Sequence, residues 1–211
     1  LGAMQDWELR VSLLIDHAAR EYGAREIVTR WNDGSESRTT WAGIRRDALK
    51  MVQALGRLGI KPGDRVATLA MNHSPHLVTW YGATGAGCIL HTINPRLFDE
   101  QLEYIANHAE DRVMLYDAVF QPIIDRMKPR WTTIEHYICF DSAQHATPFA
   151  DWIGAEDGNA EWVMGSERDP CMLCYTSGTT GHPKGVLFEH RSNLLHTYAA
   201  VAPQCLDLDS R

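Results

Sequence analysis

Residues 175–185 combine, within eleven positions, the residue types that proteins use to hold polyphosphates. The segment reads Tyr-Thr-Ser-Gly-Thr-Thr-Gly-His-Pro-Lys-Gly, with three glycines, four Ser or Thr hydroxyls and one lysine, Lys184. Glycine lets backbone N–H groups approach phosphate oxygens without a Cβ clash, hydroxyl groups donate hydrogen bonds or bind Mg²⁺, and lysine adds a mobile positive charge. The segment therefore predicts a phosphate-binding loop. A solvent-exposed turn rich in the same residues is the alternative.

The spacing of this loop differs from that of the commonest phosphate loop, which places Gly-x-x-x-x-Gly-Lys-Ser/Thr at a strand-to-helix turn. Here Gly178 and Gly181 are followed by His-Pro-Lys-Gly, and no Ser or Thr follows Lys184. Short apolar runs at 171–175 and 186–188 flank the loop, and each predicts a strand. The loop is therefore predicted to connect one strand to another.

The order Tyr-Thr-Ser-Gly-Thr-Thr-Gly-x-Pro-Lys-Gly-Val, with its free position at His182, closely resembles the signature loop of the adenylate-forming superfamily. That superfamily contains acyl-CoA synthetases, nonribosomal adenylation domains and luciferases. Residues 59–67 and 82–97 resemble further segments of the family in the same order, so the resemblance covers nearly the whole chain. The stretches 91–97 and 107–112 look most like medium- and long-chain fatty acyl-CoA ligases.

The resemblance implies an ATP-dependent carboxylate–CoA ligase that works in two half-reactions. A carboxylate attacks the α-phosphate of Mg·ATP to give acyl-adenylate and pyrophosphate, and the thiol of coenzyme A then displaces AMP. Charge grows on the departing pyrophosphate, so donors and a cation held there lower the barrier. By resemblance, Lys184 is this catalytic cation and the Thr176 hydroxyl is a candidate Mg²⁺ ligand. The residues that would bind ATP or AMP are Thr176, Ser177, Gly178, Thr179, Thr180, Gly181 and Lys184.

Three further segments of the family are not found in these residues: an aromatic-Gly-x-Thr-Glu stretch, an Asp for the ribose and a catalytic C-terminal lysine. We therefore expect residues 1–211 to be an N-terminal fragment of the large adenylate-forming domain, inactive alone although its parent protein is an enzyme. Two alternatives stay open: a relative whose acceptor is a carrier protein or oxygen, and a non-catalytic module that keeps the fold. Because the family builds its acyl pocket mostly downstream, the resemblance implies a carboxylic acid of the fatty acid type without a chain length.

The elements that must position the loop alternate between amphipathic helices and short apolar strands. Helices are predicted at 41–58, 74–85, 99–109 and 119–127, with Thr40, Ser74 and Asp99 as N-caps. Strands are predicted at 66–71, 88–93, 113–116 and 137–140. Apolar strands separated by helices are typical of parallel strands covered on both faces. We predict an α/β fold with an open, mostly parallel sheet flanked by helices and a strand–phosphate loop–strand unit near the C-terminus.

The stretch 141–169 is the most polar part of the sequence and divides it into two regions. It predicts a surface connection with one helical turn at 149–153. On this basis the chain consists of an α/β substructure at about 40–140, the connection, and a unit at 170–211 that contains the signature loop and a following helix.

Two other patterns could suggest a cofactor site. Gly82, Gly85 and Gly87 close a predicted helix and precede a strand, whereas a dinucleotide-binding fingerprint follows a strand, so these glycines predict close packing of a helix on the sheet. Cys171 and Cys174 lie three residues apart on a predicted strand, where side chains point to opposite faces and could not easily share one metal.

The composition restricts the partners and the compartment. Twenty basic and 27 acidic residues give a net charge of −7, which argues against a nucleic-acid footprint. No apolar stretch reaches the ~20 residues that cross a bilayer. Five cysteines, an odd number, predict free thiols in a reducing compartment, and we expect a cytoplasmic protein. The fatty acyl-CoA ligases that this chain resembles can pair through N-terminal regions, so the resemblance implies a homodimer. The apolar residues there could form that contact or pack onto their own domain: Trp7, Leu9, Val11, Leu13 and Leu14.

Overall fold

The computed structural model describes residues 2–3, 6–142, 144, 146–176, 182–202 and 205–206, and its elements follow the predicted alternation. The helices are α1 (Ser12–Tyr22), α2 (Trp41–Arg57), α3 (Ser74–Gly85), α4 (Asp99–Ala109), α5 (Gln121–Met127), α6 (Phe149–Gly154) and α7 (His190–Val201). The strands are β1 (Glu26–Arg30), β2 (Glu36–Thr40), β3 (Arg65–Leu69), β4 (Ile89–Thr92), β5 (Asp111–Tyr116), β6 (His136–Cys139), β7 (Thr147–Pro148), β8 (Pro170–Thr176) and β9 (Lys184–Glu189).

Seven of the strands form one sheet in the order β7-β6-β5-β3-β4-β8-β9. Every neighbouring pair in it is parallel except β8–β9, which is antiparallel. β1 and β2 pair as a separate antiparallel hairpin. The predicted α/β class and the mostly parallel sheet are therefore confirmed, and the one antiparallel pair is the one that carries the predicted loop.

The helix N-termini were predicted correctly at α2 and one residue late at α3 and α4. The Thr40 side chain accepts a hydrogen bond from the Gly43 N–H at 3.1 Å, as an N-cap does. At α3 the cap is His73, whose Nδ1 accepts from the His76 N–H at 3.0 Å, and the expected cap Ser74 is already helical. The imidazole nitrogen takes the place of the hydroxyl oxygen. At α4 the expected cap Asp99 is the first helical residue and its carboxylate binds Arg126.

The sequence pattern missed α1 and the β1–β2 hairpin. The strands of this hairpin are short and largely exposed, so they lack the continuous apolar runs that mark the strands of the main sheet. Its turn does carry a sequence signal, the pair Asp33-Gly34. Gly34 has a φ of +85°, and the Ser35 N–H donates to the Asp33 carboxylate at 2.9 Å. An Asp-Gly pair of this kind is the common local mark of a hairpin.

Helices cover both faces of the parallel sheet. On one face, buried side chains of α2, α3 and α6 pack over Val66 and Leu90, and on the other face α4 and α5 pack over Ala67 and Met114. Consecutive residues of β3 thus serve opposite cores, as the two-residue period of a strand requires. This packing fixes the carboxyl ends of the parallel strands, where the loop after β8 begins.

The glycines of α3 allow close packing, but against a helix and the connection rather than against the sheet as predicted. A Cβ at Gly82 would lie 2.8 Å from Met51 Cβ on α2. A Cβ at Gly85 would overlap the indole ring of Trp162, which belongs to the connection at 141–169. The Val163 N–H also donates to the Gly85 carbonyl at 2.8 Å. The polar connection is therefore fastened to α3 through its few apolar residues.

Gly85→Ala is expected to destabilise the fold by about 1–3 kcal/mol, because the new methyl group must displace the Trp162 ring. Gly56→Ala is the matched control, since it also lies in a helix and a Cβ there meets nothing within 4 Å. The control should be neutral or stabilise by up to about 1 kcal/mol. Urea denaturation followed by circular dichroism measures both changes. Equal unfolding free energies for the two variants would show that the contact with Trp162 does not require glycine.

Candidate functional site

β8 and β9 bring the two ends of the predicted phosphate loop together. Thr176, the last residue of β8, pairs with Lys184, the first residue of β9. The Thr176 hydroxyl donates to the Lys184 carbonyl at 3.5 Å, and both residues are exposed. The chain after the loop is a strand and not a helix, which confirms the predicted distinction from the strand-to-helix phosphate loop. The other predicted contacts lie outside the described residues: Ser177, Gly178, Thr179, Thr180 and Gly181.

Gly185 has a packing role that the sequence pattern did not identify. It pairs with Tyr175 across the β8–β9 ladder. A Cβ at Gly185 would lie 3.1 Å from Tyr175 Cζ and 3.2 Å from Leu173 Cδ1. The absence of a side chain at Gly185 therefore leaves room for the ring of Tyr175, the residue that precedes Thr176 at the start of the loop.

A buried His–Asp pair lies directly behind Tyr175. His91 Nδ1 and Asp111 Oδ2 are 2.8 Å apart, and neither side chain is exposed to solvent. The His91 and Tyr175 rings lie 5.2 Å apart. Burial raises the pKa of the Asp111 carboxyl, and the neighbouring His91 opposes that rise. The pair was not predicted, although a histidine inside the apolar run 88–93 was the available signal.

Protein side chains contact one another in the crevice where open α/β sheets usually bind ligands. The connections from β3 and β5 leave in opposite directions, and ligands commonly bind between the carboxyl ends of such strands. Here the Asp117 carboxylate accepts from the Met71 N–H at 2.7 Å and lies 2.8 Å from His73 Nε2. Trp31 and Phe140 pack on the His73 ring. The loop after β8 begins at the same edge of the sheet, because β8 is parallel to β4.

The residues before α1 form a clasp on the base of the β8–β9 unit. The Leu9 N–H donates to the Glu167 carboxylate at 2.9 Å, and buried Arg10 binds Asp169 at 2.9 Å. The Val11 N–H donates to His190 Nδ1 at 3.2 Å. Val11 is fully buried against its own chain, whereas Trp7 is 63% exposed. The apolar residues at 7–14 were expected either to form a homodimer contact or to pack onto their own domain. Val11 packs onto its own domain.

His190 makes the clasp sensitive to acid. Burial, reinforced by the charge of Arg10 and opposed by Asp169, lowers the pKa of His190 to about 4. The unfolded chain binds this proton near pH 6.5, so the contribution of His190 is complete above pH 6.5 and is lost as the pH falls towards 4. We expect a loss of about 2–3 kcal/mol in the free energy of unfolding between pH 7 and pH 4.5.

His190→Asn isolates this effect, because an amide oxygen can accept from Val11 but does not titrate. Urea denaturation at both pH values should give a smaller acid-induced loss for the variant than for the parent chain. Equal losses would assign the acid sensitivity to other groups.

The cysteines do not form a second site in the part of the chain that the structure describes. All five cysteines are free thiols. Burial raises the pKa of Cys171 to about 12, while Cys174 on the same strand is only half-buried. Within the ranges that the structure describes, no three His, Cys, Asp or Glu side chains are grouped as metal ligands. In the same ranges no helix has the length and apolar character needed to cross a membrane.

Comparison with curated proteins identifies CoA ligases as relatives. The chain is 46% identical over 208 residues to the 3-methylmercaptopropionyl-CoA ligase of Ruegeria lacuscaerulensis, covering 95% of this chain and 39% of that relative. It is 42% identical over 219 residues to a medium-chain-fatty-acid–CoA ligase of Ectopseudomonas oleovorans, covering 100% and 40%. The chain thus spans about two-fifths of the length of these relatives.

Solved structures agree on the fold. The inhibitor-bound N-terminal domain of FACL13 from Mycobacterium tuberculosis superposes with a TM-score of 0.82 at 27% identity, covering 97% of this chain and 50% of that one. The anthranilate CoA ligase AuaEII, in complex with anthranoyl-AMP, gives 0.82 at 23% identity, covering 92% and 37%. The family model described as AMP-binding enzyme matches residues 15–211. With that match over nearly its whole length, the chain belongs to the AMP-binding enzyme family.

Proposed function

We propose that the protein containing this chain is an ATP-dependent carboxylate–CoA ligase, in which residues 1–211 supply the phosphate-binding side of the active site. The observation that supports the proposal is the pairing of Thr176 with Lys184, which brings the first and last of the proposed phosphate-binding residues onto neighbouring strands at the two ends of the loop. The two relatives named as CoA ligases support the same reaction.

The chemistry of these two residues fits a magnesium-bound triphosphate. Lys184 is exposed, and no described carboxylate lies within ion-pair distance of it, so its charge is free for an anionic ligand. The Thr176 hydroxyl is a hard oxygen of the kind that Mg²⁺ binds. When bound, Mg²⁺ would neutralise part of the phosphate charge. We propose Thr176 as its ligand, and the hydroxyls and N–H groups of 176–181 as donors to the phosphates.

In the proposed reaction a carboxylate oxygen attacks the α-phosphorus and the bond to the bridging oxygen of the β-phosphate breaks. Pyrophosphate leaves with one more negative charge on that oxygen, and we propose that Lys184 stabilises this charge. In the second half-reaction the CoA thiol gives its proton to solvent, its sulfur attacks the acyl carbon, and AMP leaves with the electron pair of the broken acyl–oxygen bond. Thr176 and Lys184 act in the first half-reaction.

For the acid we propose a fatty acid, because the stretches 91–97 and 107–112 resemble fatty acyl-CoA ligases. The main competitor is a short thioether acid. It is favoured by the 46% and 42% identity to two enzymes named 3-methylmercaptopropionyl-CoA ligase.

A substrate panel tests the reaction and the acid together. The full-length protein is incubated with Mg·ATP and single carboxylic acids (short, medium and long fatty acids and 3-methylmercaptopropionate), with and without CoA. Pyrophosphate release that needs a fatty acid, with thioester formed only when CoA is present, supports the proposal. Adenylate without thioester indicates another acceptor, turnover of the thioether acid alone changes the substrate, and no pyrophosphate release with any acid would favour a non-catalytic module.

We also propose a cytoplasmic homodimer in which the exposed Trp7 contributes to the contact. Its 63% exposure leaves most of the indole available to a second copy. Light scattering at micromolar concentration should give twice the monomer mass, and Trp7→Ser should shift it towards the monomer. A monomer for the parent protein would contradict the dimer.

A further inference from the structure

Aromatic side chains on both sides of the signature loop contact one helix, α4. After the loop, the His182 ring stacks on Tyr104 with ring centroids 4.5 Å apart and planes 19° apart. Tyr104 also stacks with His108, one turn further along α4, at 5.0 Å and 23°. Before the loop, the Tyr175 hydroxyl lies 2.7 Å from His108 Nδ1. We call Tyr104, His108, Tyr175 and His182 the α4 clamp.

The clamp lies next to the residues that carry the proposed phosphate chemistry. Tyr175 immediately precedes Thr176, and only Pro183 separates His182 from Lys184. Pro183 is buried, and its ring fixes its own φ, so little backbone freedom exists between the imidazole and the lysine. A displacement of His182 would therefore move Lys184.

Helix α4 is a firm support for such contacts. Its apolar side, with Leu102 and Ile105, is fully buried in the core. On its outer side Asp99 binds Arg126 at 3.0 Å, which ties the helix to α5. β9, in contrast, is an edge strand whose one neighbour among the described strands is β8, and most of its residues are exposed. The clamp gives the lysine end of the loop a second attachment.

We propose that Tyr104 and His182 are positioning residues, which hold Lys184 in the place where it meets the phosphates of ATP. This inference rests on the proposed function. It adds a role for His182, the position at which the signature loop accepts any residue. The stack acts through Lys184, since neither ring is required to touch the nucleotide.

Kinetics of the full-length protein test the clamp. His182→Ala and Tyr104→Ala are each expected to lower kcat/KM for Mg·ATP about tenfold, because stacking pairs are modest in energy but the position of a charged group is critical. His182→Phe and Tyr104→Phe keep the stacked rings and should restore most of the loss. The double Ala variant should be little worse than either single one, because both remove the same contact. His196→Ala, an exposed histidine of α7, is the control and should change nothing.

Two results distinguish failure of the clamp from failure of the proposed function. If no acid supports pyrophosphate exchange in the parent protein, the proposed function fails, and if exchange occurs but is unchanged in Lys184→Ala, the proposed role of Lys184 fails. If Lys184→Ala slows exchange while His182→Ala keeps the parent kcat/KM for Mg·ATP, or His182→Phe fails to rescue, the clamp is wrong and the stack is only structural. If no acid supports turnover, calorimetric titration with Mg·ATP replaces the kinetics. The Ala variants should then have a higher Kd than the parent and the Phe variants, and equal Kd values for the parent and His182→Ala would overturn the inference.

Discussion

Lys184→Ala in the full-length protein is expected to slow pyrophosphate exchange by about 10²–10³-fold, the loss typical of removing one preorganised group that stabilises developing charge. The structure explains why one residue should matter so much. Lys184 is exposed at the first position of β9, directly opposite Thr176, and within the described residues no carboxylate pairs with it. Its charge is therefore free for an anionic ligand, and in the proposed reaction that ligand is the departing pyrophosphate, to which binding would strengthen as the reaction proceeds.

Three comparisons make this prediction specific. Lys184→Arg keeps the charge and should recover part of the rate. Lys61→Ala removes an exposed lysine from a turn remote from the loop and should leave exchange unchanged. Gly181→Val should be more severe than Lys184→Ala, because a branched Cβ blocks close approach of the backbone to phosphate. Unchanged exchange in Lys184→Ala and Gly181→Val would show that this loop is not the phosphate site.

The order of residues in the loop was informative because its chemistry is local. Three glycines, four Ser or Thr hydroxyls and one lysine within eleven positions predict phosphate binding without any knowledge of distant contacts. The alternation of helix and strand was equally local, and it gave the parallel sheet correctly. Positions of the N-caps were less secure, because an imidazole nitrogen of His73 caps α3 where a hydroxyl was expected.

Features that depend on contacts between distant residues could not be predicted in this way. Gly85 was expected to face the sheet, but its partner is Trp162, which lies 77 positions later in the chain. The clasp joins residues 9–11 to residues 167–190, and the sequence shows only ordinary charged residues there. His91 and Asp111 meet because β4 and β5 flank β3 in the sheet, an order that periodicity does not encode.

Asp111→Ala is expected to destabilise the fold by about 3–5 kcal/mol, the typical cost of removing one partner from a buried ionisable pair. Asp111 and His91 are both fully buried, and their contact of 2.8 Å is the only protein hydrogen bond recorded for either side chain among the described residues. Without the carboxylate, the imidazole would stay in the core with neither nitrogen bonded to protein. A cavity the size of a carboxylate would add to this cost.

The surroundings of the pair extend the expected effect to the phosphate loop. The Tyr175 ring lies 5.2 Å from the His91 ring and leads directly into Thr176. If His91 moved to hydrogen-bond with water, it would displace the neighbouring ring of Tyr175. Asp111→Ala should therefore raise KM for Mg·ATP in the full-length protein at temperatures where the variant is still folded.

A double replacement separates the pair from simple packing. Because apolar residues often replace a buried ion pair at little cost, His91→Leu combined with Asp111→Leu should recover much of the stability lost in Asp111→Ala. Asp125→Ala removes an exposed carboxylate of α5 and should change the free energy of unfolding by less than about 0.5 kcal/mol. Denaturant unfolding of the four chains gives the comparison. A loss in Asp111→Ala no larger than in Asp125→Ala would mean that water or another side chain replaces the carboxylate, and that the pair does not hold Tyr175 in place.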